Sequence, residues 1–135
     1  MPRQQQLIEC VKQFYGLAMT DLERAIEECV APDGGTLINP LPAHVPFGGT
    51  HEGVEGLRRY MALIAEHIQI EKFDLDEMLC DGHTVVVIGR ESSLVHSTGK
   101  RYTMAFVHVL RVTPEGRIIE LREYNDTAAL GAAFE

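Results

Sequence analysis

The sequence predicts an α+β fold, three amino-terminal helices packed on a mostly antiparallel sheet, and three observations carry that prediction. Apolar residues recur at three- and four-residue steps through the first thirty residues and again over 54–68. From residue 73 onward the chain is rich in β-branched and aromatic residues, in runs separated by short turn signals. Helices first and long strands afterwards is an α+β order, because a parallel sheet would interleave the two.

The elements follow in order. Leu7, Val11, Phe14 and Ala18, widened by Ile8 and Tyr15, form the stripe of a first helix. Thr20-Asp21-Leu22-Glu23 fits a capping box, whose hydroxyl and carboxylate satisfy free amides at the start of a second helix. That helix carries Leu22, Ile26, Cys29 and Val30 and stops before Pro32. Gly34-Gly35 turns the chain into a short strand over 36–39, ended by Pro40 and Pro42. A Pro- and Gly-rich loop covers 40–53, and Val54, Leu57, Met61, Ile64 and Ile68 mark a third helix. Strands are expected over 73–79, 84–96, 101–112 and 117–126, with turns at Asp81-Gly82, Thr98-Gly99 and Pro114-Glu115-Gly116.

Length and composition exclude several classes. The chain of 135 residues is read as one domain, 1–135, and 45% hydrophobic content is too high for a disordered protein. No apolar run approaches the roughly 18 residues of a membrane span. Met1-Pro2-Arg3-Gln4-Gln5-Gln6 lacks a secretory core, so a cytoplasmic location is expected. The net charge is −8 and no basic cluster exceeds Arg58-Arg59 or Lys100-Arg101, which disfavours nucleic acid as a partner. Cys10, Cys29 and Cys80 are odd in number and widely spaced, hence expected as buried free thiols. His51-Glu52 begins like a zincin motif, but position 55 is Glu55; His44 and His51 are read as solvated loop histidines and no metal is expected. No nucleophile elbow or Gly-rich phosphate loop is present, and no cofactor is implied.

On the strand over 101–112 both faces are apolar: Met104, Phe106, His108 and Leu110 alternate with Ala105, Val107 and Val109. A sheet with one wet face would carry polar residues on one set. Helices can cover one face, and a second copy of the chain is the economical cover for the other. A homodimer through the outer sheet face is therefore expected.

Four stretches then carry a family resemblance. They are Phe14-Tyr15 running to Asp21-Leu22-Glu23; Pro46-Phe47-Gly48-Gly49-Thr50-His51-Glu52-Gly53 with the residues to Leu57; Phe106-Val107-His108-Val109-Leu110-Arg111-Val112; and Gly116-Arg117-Ile118-Ile119 through Glu123-Tyr124-Asn125-Asp126-Thr127. Together they cover nearly the whole chain, which resembles the SnoaL-like branch of the NTF2-like superfamily, with its polyketide cyclases, ketosteroid isomerase and limonene-epoxide hydrolase. The resemblance implies a cone, helices on a strongly curved sheet around an apolar pocket. It implies inward-facing sets of Met104, Phe106 and His108, of Leu121, Glu123 and Asn125, and of Val86, Ile88, Arg90 and Ser92. Asn39, Phe14, Phe47 and Met61 join the ligand-binding set it implies, and Arg122, Tyr124 and Asp126 are read as surface or dimer-contact residues.

The resemblance also sorts the chemistries. Isomerase chemistry needs a carboxylate base and two oxyanion donors, and the matching positions are Asn39, Phe14 and His108; Asn39 takes no proton and Phe14 has no hydroxyl. The epoxide hydrolase pattern is met in part by Asn39, Arg90 and Glu123, with Ser92 and Leu37 in place of an Asp and a Tyr. Cyclase chemistry asks for an acid/base carboxylate beside a histidine, which Glu123 and His108 match. The expected function is an enzyme acting on a small, largely apolar carbonyl or polyketide-like molecule, with Glu123, His108 and Arg90 catalytic and Asn39 orienting the substrate. The rivals are a non-catalytic module that binds a small hydrophobic molecule, and a scaffold in which Glu123 and Arg90 form a buried ion pair.

Overall fold

The computed structural model describes residues 3–135, so the reading of Met1-Pro2 as the start of a terminus without a secretory core lies outside it. The order is α1 (Arg3–Ala18), α2 (Leu22–Cys29), β1 (Thr36–Asn39), β2 (Gly49–Glu52), α3 (Gly53–His67), β3 (Ile68–Asp81), β4 (Thr84–Val95), β5 (Arg101–Val112), β6 (Ile118–Asn125) and α4 (Thr127–Ala133). The strands form one sheet in the order β2-β1-β6-β5-β4-β3, curled but not closed. Only β1 and β6 run parallel; the other neighbours are antiparallel. The α+β class and the three expected helices are present.

Four local features differ from expectation, the first being that Ile68, counted in the third helical stripe, opens β3, which starts five residues before the expected 73. The loop over 40–53 contains β2, whose Gly49-Thr50-His51-Glu52 has no apolar periodicity and is made a strand only by pairing with β1. A fourth helix, α4, follows β6, and Asp126 is its cap, accepting from the Ala129 N–H at 3.0 Å. The cap of α2 is likewise Asp21, which accepts from Arg24 N–H, whereas the Thr20 hydroxyl donates back to Gly16 O at 2.8 Å. Of the three cysteines only Cys29 is fully buried, and all are free.

Leu7, Val11, Phe14 and Tyr15 of α1 pack on the concave face of the sheet. That face is built from odd-numbered residues of β4 (Val85, Val87, Val95) and even-numbered ones of β5 (Tyr102 to Val112). Residues directly opposite on neighbouring strands share a face, and Val87 stands opposite His108, Gly89 opposite Phe106 and Glu91 opposite Met104. The expected inward set of Val86, Ile88, Arg90 and Ser92 therefore faces out. Arg90 is exposed and holds Asp76 in a bidentate pair at 2.8 and 2.9 Å, and Ser92 meets Thr103 at 3.0 Å on the same outer surface. A shift of one residue turns a whole strand over, and β4 is apolar on both sets.

Gly89 shows how tightly that register is built. A methyl group there would stand 2.5 Å from Phe106 Cζ and closer still to the Asp74 carbonyl. The missing side chain lets the Phe106 ring lie across β4, where it stacks on Phe73 at 5.1 Å. On the outer surface, Leu79, Val86 and Val109 form one cross-strand row and Ile88, Val107 and Tyr124 the next, with Leu79 and Tyr124 each 50% exposed. Among the described residues no helix is long and apolar enough to cross a membrane.

Candidate functional site

The concave face, with α1, α3 and α4 around it, forms a cleft whose enclosed space is about 80 Å³, and about 690 Å³ when the open solvent at its mouth is included. Phe14, Leu37, Phe47, Leu57, Met61, Met104 and Leu121 supply apolar wall. Into it intrude Asn39, Glu91, His108, Glu123, Asn125 and three tyrosines, 15, 60 and 102. The mouth lies between the end of α1 (Ala18, Met19), α3 (Met61, Ile64) and the start of β3 (Ile68, Ile70), and the same six residues continue outside as an apolar groove.

Glu123 and His108 meet because β5 and β6 pair with these two residues opposite each other. His108 Nε2 lies 3.2 Å from Glu123 Oε1, with both side chains almost wholly buried. The parallel pairing of β1 on β6 brings Asn39 to the same place, and α3 adds Tyr60. The Tyr60 hydroxyl donates to Glu123 Oε2 at 2.7 Å, and Asn39 Nδ2 donates to Glu123 Oε1 at 3.5 Å and to the Tyr60 oxygen at 3.0 Å. Burial pushes the Glu123 carboxyl upward, but the neighbouring His108 charge and the hydrogen bonds from His108 and Tyr60 outweigh it and hold the pKa below the usual carboxylate value. Glu123 is therefore a carboxylate at neutral pH.

The His108 ring lies between Phe106, at 4.3 Å between centroids, and Tyr15, at 5.9 Å. Its Nδ1 is 2.6 Å from the Tyr15 hydroxyl. The carboxylate opposite Nε2 calls for a proton on that nitrogen, and the direction of the Tyr15 bond then follows whether Nδ1 also carries one. Burial, reinforced by the Glu123 charge, drives the Tyr15 pKa upward, which keeps the phenol neutral. Tyr15, His108 and Glu123 thus form a continuous line of exchangeable protons.

Glu91 enters the same cavity from β4. The Tyr102 hydroxyl at 2.6 Å and the Ser93 hydroxyl at 2.8 Å both donate to its Oε2. Burial raises the Glu91 pKa, and these two bonds offset only part of the rise. The two carboxylates of one cavity are displaced in opposite directions.

Of the residues expected from sequence, the structure brings together Glu123, His108, Asn39, Asn125, Phe14, Phe47, Met61 and Leu121. It does not bring Arg90 or Ser92 there, for the register reason above. No Arg90–Glu123 pair exists, since Arg90 is paired to Asp76. Phe106 is a support rather than a wall residue, packed behind His108. Next to Phe14, which has no hydroxyl, Tyr15 brings a phenol to the cavity, bonded to His108 Nδ1. Sequence reasoning did not assign Tyr15, Tyr60, Glu91 or Tyr102 to the site. Tyr60 was legible at the 57–60–64 helical step beside Leu57, and Glu91 was the one charge in the odd-numbered set of β4.

The loop before β2 is an ordered rim: Val45 and Phe47 are buried, Phe47 stacks edge-on to Phe134, and His44 Nε2 meets Gly131 O at 2.8 Å. His51, expected in solvent, is buried, with Nε2 3.2 Å from Phe47 O and its ring against Tyr60.

Comparison with known proteins follows the same lines. The family model for the SnoaL-like domain matches residues 11–121. No curated protein matches the chain. Among solved structures, an NTF2-like protein of Burkholderia xenovorans LB400 is 25% identical over 98% of both chains, with a TM-score of 0.88. TerC, co-crystallised with polyporic acid, is 22% identical over 95% of this chain and 97% of its own, with a TM-score of 0.77. A protein of Mesorhizobium loti, described provisionally as a SnoaL-like polyketide cyclase, is 23% identical over 87% of this chain and 97% of its own, at a TM-score of 0.69.

Proposed function

Because this chain belongs to the SnoaL-like domain family, we propose that its cavity performs cofactor-independent acid/base chemistry on a small, largely apolar carbonyl or polyketide-like molecule. The observation that carries this reading is the state of Glu123. A carboxylate offers about four acceptor directions, and here three are taken by His108, Tyr60 and Asn39 in an otherwise apolar cavity. The remaining direction is available for a proton from the carbon or hydroxyl beside a substrate carbonyl. Glu123 takes that proton and returns it elsewhere on the same molecule, with no net change of oxidation state.

The line from Glu123 through His108 to Tyr15 supports both halves of the cycle. The carboxylate keeps the hydrogen bond from Tyr60 and the contact with His108, and Tyr15 holds the ring at its other nitrogen. The role expected for Arg90 falls away, and with it the partial epoxide hydrolase pattern, because Arg90 and Ser92 stand on the outer surface. A scaffold role is disfavoured for the same reason: the buried carboxylate is not neutralised by an arginine. The polyketide-cyclase description and the polyporic acid complex belong to relatives similar at the level of fold, and they agree with the reading without carrying it.

The outer surface supports a second proposal. The rows of Leu79, Val86 and Val109 and of Ile88, Val107 and Tyr124 make a continuous apolar patch, and we propose that a second copy of the chain covers it.

The test of the chemistry begins with mass spectrometry of whatever co-purifies with the protein, followed by turnover of that molecule. Glu123→Gln should lower kcat by roughly 10²–10⁴-fold, the usual worth of a positioned acid/base group. Unchanged turnover would show that the cavity binds its ligand without using Glu123.

A further inference from the structure

The space inside the cleft and the space outside its mouth are unequal. About 80 Å³ is enclosed. A water-sized group takes roughly 10–15 Å³ of such space, so about five to eight non-hydrogen atoms fit within. The groove outside the mouth is shallower and offers about 450 Å³ of open space. Six of the ten residues that line it also line the mouth, so cleft and groove form one continuous apolar surface. The other four are Leu22, which opens α2, and Arg58, Ala62 and Ala65 of α3.

The groove is suited to an apolar guest. Ala62 and Ala65 lie about one helical turn apart and both are exposed, so small side chains leave room where α3 borders it. Met19, a large apolar side chain left 48% exposed, stands beside the groove, and with Met61 it supplies a flexible wall. The single charged lining group, Arg58, is held by Glu23 at 2.7 and 2.9 Å and also by Glu55. The groove thus offers a polar guest nothing beyond a guanidinium already paired, whereas Glu91, His108 and Glu123 all stand inside the cleft.

We propose that the protein selects a neutral ketone with an alkyl tail: a head of about six non-hydrogen atoms enters the cleft, and the tail leaves through the mouth and lies in the groove. The oxygen is at the inner end because the hydrogen-bonding side chains are there. The head is neutral because Glu91 and Glu123 already share the enclosed space, and an anionic head would add a like charge beside them. The tail is apolar because no group in the groove would compensate a polar atom for its lost hydration. This inference rests on the acid/base reading of the cleft and adds the class of molecule that reaches it.

The test titrates 2-pentanone, short enough for the cleft alone, and 2-nonanone, four CH₂ groups longer, into the protein by two-dimensional NMR. A methylene half-covered by an open groove is worth about twofold in affinity, so wild type should bind 2-nonanone roughly fifteenfold more tightly. The amide signals of residues 62 and 65 should move with 2-nonanone and stay in place with 2-pentanone. Ala65→Glu, at an exposed helical position where substitution is well tolerated, should reduce the ratio to about threefold or less. Equal affinity of wild type for the two ketones overturns the inference and does not depend on any variant folding. An undiminished ratio in a folded Ala65→Glu also overturns it, as does nonanoate binding more tightly than 2-nonanone. If wild type binds neither ketone, this inference fails, whereas the acid/base reading is decided separately by turnover in Glu123→Gln.

Discussion

Replacing Glu123 by glutamine tests the electrostatics of the cavity without knowledge of the substrate. The amide keeps one acceptor oxygen but places an NH₂ group where the second oxygen accepted, so a donor now faces the Tyr60 hydroxyl at 2.7 Å or the His108 N–H at 3.2 Å. At least one bond to a charged acceptor is lost, about 1.5–3 kcal/mol. Removing the buried charge also removes its desolvation cost, but the folded-state pKa lies below the ordinary value, so attraction outweighs that cost and the net effect is destabilising. For a domain of this length the loss corresponds to a fall in Tm of roughly 5–15 °C at pH 7. A carboxylate depressed on folding contributes stability above its unfolded pKa and loses it as pH falls through the folded one. The gap between wild type and Glu123→Gln, measured by thermal circular dichroism, should therefore be full at neutral pH and narrow as pH falls below the ordinary carboxylate range. A variant that melts with or above wild type at pH 7, or a gap that does not narrow in acid, would refute the account of Glu123 as a carboxylate stabilised by its donors.

Glu91 should behave in the opposite sense. Its pKa is raised on folding, so its ionised form costs stability as pH rises above the ordinary carboxylate value; Glu91→Gln should raise Tm at pH 8 and give no gain near pH 4, and a loss at pH 8 would contradict that. Gly89→Ala should destabilise by about 1–3 kcal/mol in denaturant titrations through overpacking against Phe106, and should shift the NMR signals of the His108 ring; unchanged stability would contradict the packing described for β4. Arg90→Ala should leave turnover of the co-purifying molecule within about twofold, as expected of a group in a surface ion pair, and a large loss would mean that β4 had been assigned the wrong face. Wild-type protein should sediment as a dimer and Val107→Asp, at the centre of the outer apolar patch, as a folded monomer; a monomeric wild type would remove the proposal.

Most of the architecture was legible because it depends on local spacing. The helical stripes of α1 and α3, the four long strands and the turn glycines each follow from periodicity within a dozen residues. The convergence of His108 with Glu123 was legible only through the family resemblance, because β5 is apolar on both faces and alternation alone does not choose the inward one. What local spacing did not reach were elements defined by partners: β2 exists through its pairing with β1, and α4 has the short, alanine-rich composition of a segment whose burial decides its state.

The face of β4 was decided only by tertiary structure. Its residues 84–88 are apolar or β-branched on both sides, so alternation leaves two registers of nearly equal merit. Pairing decides between them. The hairpin from β4 to β5 sets Gly89 opposite Phe106, where a side chain at 89 would collide with the ring, and the odd-numbered residues of β4 turn inward in that register. That choice removed an arginine from the cavity and put a second carboxylate in it. The amino-acid sequence by itself determined where the three long-striped helices and the four long strands form. The charge inside the cavity was settled by strand register, because register depends on side chains from two strands fitting together and neither strand carries that information alone.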